Sequence, residues 1–260
     1  MTSTTMPNNS PTNRYGSIAA EIYDIDKPAG ALPDTPFYLA RLATTRGAIL
    51  EPACGSGRAM LPVLQAGRDV TGFDPSPEML AQCRATCAQA GFTPDLSQQR
   101  FEDFSYDRVF AAVFIPVSTF TMIDTFEAAM ASLERVRAHL EPGGMLLFDI
   151  ESLSPLAFTG VDRRRWVAPG GDLLTLEGVR GPPDWLGQRA HYAIRYERWR
   201  DNRLIETQLE PMTQRFWGLE EMKFALAAAG FGDISVTGNY TPGRPLDART
   251  RVLTYEAHRF

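Results

Sequence analysis

The sequence predicts an α/β fold: a doubly wound, mostly parallel sheet of seven strands that carries a small inserted antiparallel β-sheet. Three observations point there. Short apolar runs alternate with helical patterns from residue 47 to residue 150, which calls for parallel strands, right-handed crossovers and helices on both faces. A Gly-rich turn, Gly55-Ser56-Gly57, follows the first of those runs, where sheets of this type take up ligand. From about residue 160 to 217 the alternation gives way to consecutive β-type segments, which pair antiparallel.

Each element has its own local reason. Residues 47–53 are a short apolar run read as a buried strand. Met60, Leu61 and Leu64 share a face of the next helix, which closes near Gly67. Asp69–Asp74 is a second strand, and Ser76-Pro77-Glu78 opens a helix that runs to about Ala90 before Gly91. Asp95–Phe101 and Val109–Ile115 are further strands. Thr125–Leu140 is helical, and Glu141-Pro142-Gly143-Gly144 is a turn feeding the strand Met145–Ile150. Leu173–Val179, His191–Trp199 and Leu204–Phe216 are the β segments of the insertion, the last two joined at Asp201-Asn202. Leu219–Ala229 returns to helix, and 232–238 with 250–257 complete the large sheet. The expected division is a disordered tail over 1–14, a Rossmann-like domain over 15–159 and 218–260, and an inserted antiparallel β cap over 160–217. The cap either covers substrate or makes a homodimer interface.

Composition narrows the function. A hydrophobic share of 44% and a charged share of 22% exclude a disordered chain. Net charge is −5, so the chain lacks the basic surface that a general nucleic-acid binder needs. The run Arg163-Arg164-Arg165 is its one basic cluster and reads as a solvated turn. No stretch approaches the ~18 apolar residues of a membrane span, and the N-terminus lacks a signal-peptide layout. Three cysteines, Cys54, Cys83 and Cys87, build no disulfide framework, so a cytoplasmic location is the simplest expectation.

The chemistry sits at the Gly-rich turn. Glycines 55 and 57 let the backbone approach a ligand without an intervening Cβ. Asp74, ending the second strand, suits a ribose diol. A dinucleotide fingerprint needs a third glycine at position 60, which is Met60. Glu51 also puts a carboxylate beside the turn, awkward for a pyrophosphate and suited to a cationic ligand with an amino-acid group. S-adenosylmethionine meets that description.

On these motifs the sequence resembles the class I S-adenosylmethionine-dependent methyltransferases of small-molecule type. The matching pieces are Ile49-Leu-Glu-Pro-Ala-Cys-Gly-Ser-Gly-Arg58, Gly72-Phe-Asp-Pro-Ser-Pro-Glu-Met-Leu80 and Leu140-Glu-Pro-Gly-Gly-Met-Leu-Leu-Phe148. Tyr15 to Asp24 looks like the tyrosine segment at the N-terminus of many members. Glu220-Glu-Met, with Leu226-Ala-Ala-Ala-Gly-Phe231, looks like their last helix and its exit to the sixth strand. The resemblance implies that Glu51, Gly55 and Gly57 hold the amino-acid end of the cofactor, with Tyr23, Ala53 and Arg58 among its contacts. It gives Asp74 the ribose, Pro75 and Met79 the adenine face, and Ile115-Pro116 a place along the cofactor. The acidic residue that many members turn to the adenine amino group is replaced by Arg100. Phe101, through its backbone, or Glu102 then takes that role.

The remaining candidates divide between chemistry and packing. Cys54 reads as a small buried residue. Cys83 and Cys87 lie four apart on a helix but have no acidic or histidine partner at ligand spacing, so no metal is expected. Tyr15, Phe120, Trp166 and His191 are candidates to touch substrate, Phe120 and Trp166 as walls of a cavity. No general base is singled out, because a sulfonium methyl is already activated and transfer rests chiefly on alignment. The expected function is methyl transfer to N, O or C of a small-molecule acceptor. Its alternatives are a nucleic-acid or protein methyltransferase acting through the arginine run, a cofactor-binding protein without transferase activity, and a nicotinamide oxidoreductase.

Overall fold

In the computed structural model of the chain, residues 13, 15–153 and 160–260 are described. The helices are α1 (Ser17–Asp26), α2 (Asp34–Leu42), α3 (Met60–Gln65), α4 (Pro77–Gln89), α5 (Phe126–Ala138) and α6 (Leu219–Ala228). Strands β1 (Ile49–Pro52), β2 (Val70–Phe73), β3 (Asp95–Ser97), β4 (Phe110–Ile115) and β5 (Leu140–Glu151) belong to the large sheet with β10 (Phe231–Gly238) and β11 (Val252–Arg259). Its order is β3-β2-β1-β4-β5-β11-β10. Every neighbouring pair from β3 to β5 is parallel, and β11 runs antiparallel to both β5 and β10. The chain winds outward from β1 to β3 and then returns to β4 on the other side of β1. That reversal opens a crevice beyond the carboxyl ends of β1 and β4.

The pleat sorts the core onto two faces. Ile49, Ala112, Phe114 and Leu147 point to one side and pack with Tyr38 of α2, Val63 of α3 and Leu80 of α4. Their neighbours Leu50, Val113, Ile115, Leu146 and Phe148 point to the other, against Leu133 of α5 and Leu226 of α6. Both faces are buried, so the strands read as apolar runs rather than as alternation. The helix starts are locally encoded. Ser76 and Thr125 accept the N–H groups of Met79 (3.1 Å) and Ala128 (3.2 Å), capping α4 and α5.

A second, four-stranded antiparallel sheet follows in the order β6 (Val161–Val167), β7 (Leu173–Arg180), β8 (Arg189–Arg200), β9 (Arg203–Arg215). Its inner face buries Leu174, Leu176 and Tyr196 against Ile18 and Ile22 of α1. The N-terminal helix packs on this sheet and also contacts α4 beside the large one.

Three expectations are corrected. The arginine run is not a turn but lies in β6, an edge strand. There Arg163 pairs with Glu177 at 2.7 Å and Arg164 with Asp26 at 2.9 Å, and charge blunts the open edge. Strand β3 stops at Ser97 rather than Phe101, because the chain turns back through a Phe104 N–H to Arg100 carbonyl bond of 2.9 Å. Strand β5 begins at Leu140. Phe110 faces Leu140 and Ala112 faces Met145, so Glu141–Gly144 loops out as a bulge inside the strand, with Gly143 at φ +75°. Helices α1 and α2 precede β1 and add to the expected order.

Of the stretch expected to be a disordered tail, residues 1–12 and 14 lie outside the described residues, as do 154–159 just ahead of the expected insertion. Asn13 is described. Its side-chain amide donates to the carbonyls of Met122 and Thr213, both at 3.1 Å. Among the described residues no helix is long and apolar enough to cross a membrane.

Candidate active site

The turn after β1 uses three left-handed residues: Ala53 (φ +50°), Gly55 (+56°) and Gly57 (+85°). Cys54 N–H bonds the carbonyl of Phe73 at 2.9 Å and Gly57 N–H bonds that of Cys54 at 3.0 Å, tying the turn to β2. The two glycines serve different needs. At Gly57 a Cβ would sit 2.8 Å from Cys83 Sγ, so packing forbids one. At Gly55 a Cβ would meet nothing within 4 Å, so the space above it is open. Asp74 closes the turn from beyond β2. Its Oδ2 accepts Gly55 N–H at 2.9 Å and its Oδ1 accepts Ser76 N–H at 2.8 Å. Burial pushes its carboxyl up to about 6, against the pull of the two backbone N–H groups.

Under the turn lies a buried charge cluster. Glu51 is 2% exposed, and its Oε2 has no hydrogen-bond partner among the described residues. Burial holds its carboxyl well above the usual range, opposed by the guanidinium of Arg58. Arg58 in turn grips Asp34 with two bonds, Nη1 to Oδ1 at 3.0 Å and Nη2 to Oδ2 at 2.7 Å. The phenol of Tyr23, from α1, also meets Arg58. Its ring stands edge-on to Tyr15 at 6.1 Å. Tyr15 is itself held at both ends of its peptide unit. Its N–H donates to Glu210 Oε2 (3.1 Å) and its carbonyl accepts from Ser76 Oγ (3.0 Å).

Beside the turn, a cleft of about 500 Å³ opens at the carboxyl ends of the strands. Ala53, Pro75 and Phe101 line it from the ends of β1, β2 and β3, Thr119 and Met122 form the wall after β4, and Asn13 joins that lining through its bond to Met122. Arg100 and Glu102 stand at its rim, largely exposed and paired at 3.3 Å. Met79 is buried in the first turn of α4. Ile115 and Pro116 are buried at the end of β4, directly ahead of the Thr119 wall.

The four substrate candidates separate. Tyr15 lies at the turn. Trp166 packs on the inner face of the small sheet, against the α1 cluster. Phe120, expected on a cavity wall, is fully buried among Phe101, Phe148 and Trp217, because the short helical turn after β4 points it into the core. His191, expected to face the site, is exposed and bonds Thr213 at 3.0 Å. Its neighbours Tyr192 and Ile194 show why: strand side chains alternate, and Ile194 is the one that packs toward α1. Cys54, Cys83 and Cys87 are buried free thiols. Asp34 and Glu210 were not singled out by sequence. The signal for Asp34 is indirect: a buried arginine at position 58 needs a carboxylate.

The residues present fit S-adenosylmethionine. A buried carboxylate with a free oxygen lies under an open glycine turn, which suits an ammonium group. A second buried carboxylate, Asp74, closes the same turn from the adjacent strand, and a cleft lined in part by Ala53, Pro75 and Phe101 continues beside it.

Comparison with known proteins agrees with this geometry. Residues 49–144 match a family described as a methyltransferase domain. A ubiquinone biosynthesis O-methyltransferase from Xanthomonas axonopodis pv. citri (strain 306) is 26% identical over 151 residues, covering 56% of this chain and 62% of that protein. The chain spans about half to three fifths of the length of the curated relatives it matches first. Among solved structures, an S-adenosylmethionine-dependent methyltransferase from Clostridium acetobutylicum ATCC 824 superimposes with a TM-score of 0.76 at 19% identity, covering 92% of this chain and 97% of that one. The sugar N-methyltransferase KedS8 from Streptoalloteichus sp. ATCC 53650 does so at 0.72 and 19%, covering 100% and 98%. Residues 49–144 thus match a methyltransferase domain, in a chain that shares its fold with S-adenosylmethionine-dependent methyltransferases of solved structure.

Proposed function

We propose that this chain transfers the methyl group of S-adenosylmethionine to an N, O or C atom of a small-molecule acceptor. The observation that carries the reading is the pair Glu51 and Asp74, buried carboxylates at the ends of adjacent strands on either side of an open glycine turn. Glu51 takes the amino group of the cofactor, and the backbone at Gly55 and Gly57 lies against its amino-acid end. Asp74 takes the ribose hydroxyls. Pro75, Phe101 and Ala53 give the adenine an apolar wall, and Arg58, locked to Asp34, sets the charge around Glu51. Bound there, S-adenosylmethionine supplies an electrophilic methyl that passes in line to the acceptor as the sulfonium S–C bond breaks. The chain aligns the two partners and excludes water.

The acceptor is handled beneath the cap at 160–217, which is joined to the site through α1. Small-molecule acceptors are named for the ubiquinone O-methyltransferase and the sugar N-methyltransferase among the similar proteins. Intrachain pairing of Arg163 and Arg164 also favours a small acceptor over a polyanion. The free thiols support a reducing, cytoplasmic setting.

The test is ligand selection by thermal shift. S-adenosylhomocysteine at a hundredfold excess over its Kd should stabilise the protein by about 2.7 kcal/mol, and NAD or NADP should do nothing. Stabilisation by NADP alone overturns the reading.

A further inference from the structure

We infer that Asp149 is a positioning residue: buried next to the end of β4, it holds the turn Pro116–Thr119 in the shape that forms one wall of the cleft. The inference rests on the cleft being the cofactor site. Asp149 lies near the carboxyl end of β5 and is wholly buried. It is not part of the cleft lining and acts through the chain next to it.

Val117 and Ser118 have consecutive left-handed backbones, φ +60° and +55°. That conformation is uncommon for any residue with a Cβ and is an outlier for a β-branched one. Something must offset the strain, and the hydrogen bonds show what does. Asp149 Oδ2 accepts Val117 N–H at 3.0 Å. Its Oδ1 accepts Ser118 N–H at 2.6 Å and Ser118 Oγ–H at 3.2 Å. Successive N–H groups turned toward one point make an anion-binding concavity, and here the chain's own carboxylate fills it. The phenol of Tyr38 donates to Oδ2 from the far side at 2.7 Å.

The consequence reaches the cleft within two residues. The carbonyl of Ser118 accepts both Thr121 N–H (2.9 Å) and Thr121 Oγ–H (2.6 Å), so the helical turn Thr119–Met122 is built on it. Thr119 and Met122 are the wall residues, and Phe120 between them is anchored in the core. Without the carboxylate, Val117 loses its N–H partner and its reason to stay left-handed. The wall then turns with it.

The experiment compares Asp149→Asn, Tyr38→Phe and the double variant Asp149→Asn/Val117→Gly. The readouts are S-adenosylhomocysteine calorimetry and amide hydrogen exchange over 117–124. Asn keeps the size but presents an amide N–H₂ where an N–H must be accepted. Asp149→Asn should weaken binding at least tenfold and speed exchange at 117 and 118 at least tenfold, with β5 amides unchanged. Tyr38→Phe is equally buried but leaves both backbone bonds in place, so it should stay within twofold of the unmodified protein. Val117→Gly removes the steric objection to positive φ and should recover at least threefold of the lost affinity. Equal binding and exchange in Asp149→Asn overturn the inference, and so does an equal loss in Tyr38→Phe. If the unmodified protein binds no S-adenosylhomocysteine, the proposed function fails, and exchange at 117–118 still decides the role of Asp149. If Asp149→Asn does not fold, exchange in the unmodified protein decides: protection at 117–118 comparable to β4 supports the inference, and free-loop exchange overturns it.

Discussion

Asp34 and Arg58 face each other through two parallel hydrogen bonds, with both side chains only 3% exposed. The aspartate comes from the first turn of α2 and the arginine from the end of the Gly-rich turn, so the pair staples α2 to that turn. Its geometry satisfies both oxygens and both terminal guanidinium nitrogens, which is the condition under which a buried pair holds its own.

Removing one partner leaves a buried charge alone. Asp34→Ala should therefore cost about 3–5 kcal/mol, and for a chain of this length each kcal/mol moves Tm by roughly 2–4 °C. The double variant Asp34→Leu/Arg58→Met should lose clearly less than Asp34→Ala by itself. Thermal denaturation of the unmodified protein and the two variants checks this, and a double-variant loss as large as that of Asp34→Ala would show that an unpaired buried charge is not the source of the cost.

Much of this arrangement is legible in the sequence, and the illegible parts share a cause. The strands of the large sheet are buried on both faces, so their apolar runs announce themselves. Gly55, Gly57, Asp74 and Ser76 follow from what a turn and a helix start require locally. Asp34 and Asp149 are different. Each is an acidic residue whose role is set by a partner far away in sequence, Arg58 for one and the backbone of Val117 and Ser118 for the other. Nothing around Asp34 distinguishes it from a surface carboxylate, and the apolar run around Asp149 signals its burial but not its partner. The arginine run fails for a related reason: three like charges read as a solvated turn unless the facing strand, with Glu177, is known. His191 and Phe120 show the last gap, since placing a residue near a site does not say which way it points.

Gly55 and Gly57 separate binding from folding. Gly55→Ala puts its Cβ into open space, so the fold bears only the left-handed penalty of roughly 1–2 kcal/mol. The same methyl occupies the room over the turn, and S-adenosylhomocysteine affinity should fall at least tenfold. Gly57→Ala meets Cys83 Sγ at 2.8 Å as well as a φ of +85°, and should unfold at markedly lower temperature. Calorimetry and melting curves together distinguish the two. Unchanged affinity in Gly55→Ala would mean the ligand does not lie over this turn.

Asp74 makes the site pH-sensitive in a definite direction. Its carboxyl is raised by burial to about 6, above the unfolded value near 3.9, so the native state binds more protons across that interval. Stability from this group is present below about 4 and is lost as pH rises toward 6, on the order of 3 kcal/mol in all. Cofactor binding has the opposite slope, because the ionised carboxylate is the better acceptor for two hydroxyls. Affinity for S-adenosylhomocysteine should climb from pH 5 and level off above about 6.5. Glu51, raised in the same direction, adds to the climb, and Asp74→Asn should flatten it without abolishing it. A profile in Asp74→Asn that matches the unmodified protein would remove Asp74 from the ribose.

Glu210 ties the cap to the site and gives the insertion a kinetic signature. From β9 its carboxylate accepts the N–H groups of Tyr15 (3.1 Å) and Gly16 (2.6 Å), and Gln208 two residues earlier accepts that of Ile18 at 3.1 Å. Together they satisfy the N–H groups of Gly16 and Ile18 at the start of α1, as a helix cap does, although they belong to another sheet. α1 carries Tyr23 to Arg58, and Tyr15 immediately ahead of it holds Ser76. A loosened α1 should therefore free Arg58 and Ser76 beside the proposed cofactor site without touching the glycine turn. Glu210→Ala should cost about 1–2 kcal/mol of local stability and raise the dissociation rate of S-adenosylhomocysteine by about tenfold. Its association rate should change little, since interface changes act mostly on release. Stopped-flow fluorescence measures both rates. An unchanged dissociation rate, together with a shift from dimer to monomer in light scattering, would mean that the inserted sheet serves an interface between copies and not the cofactor site.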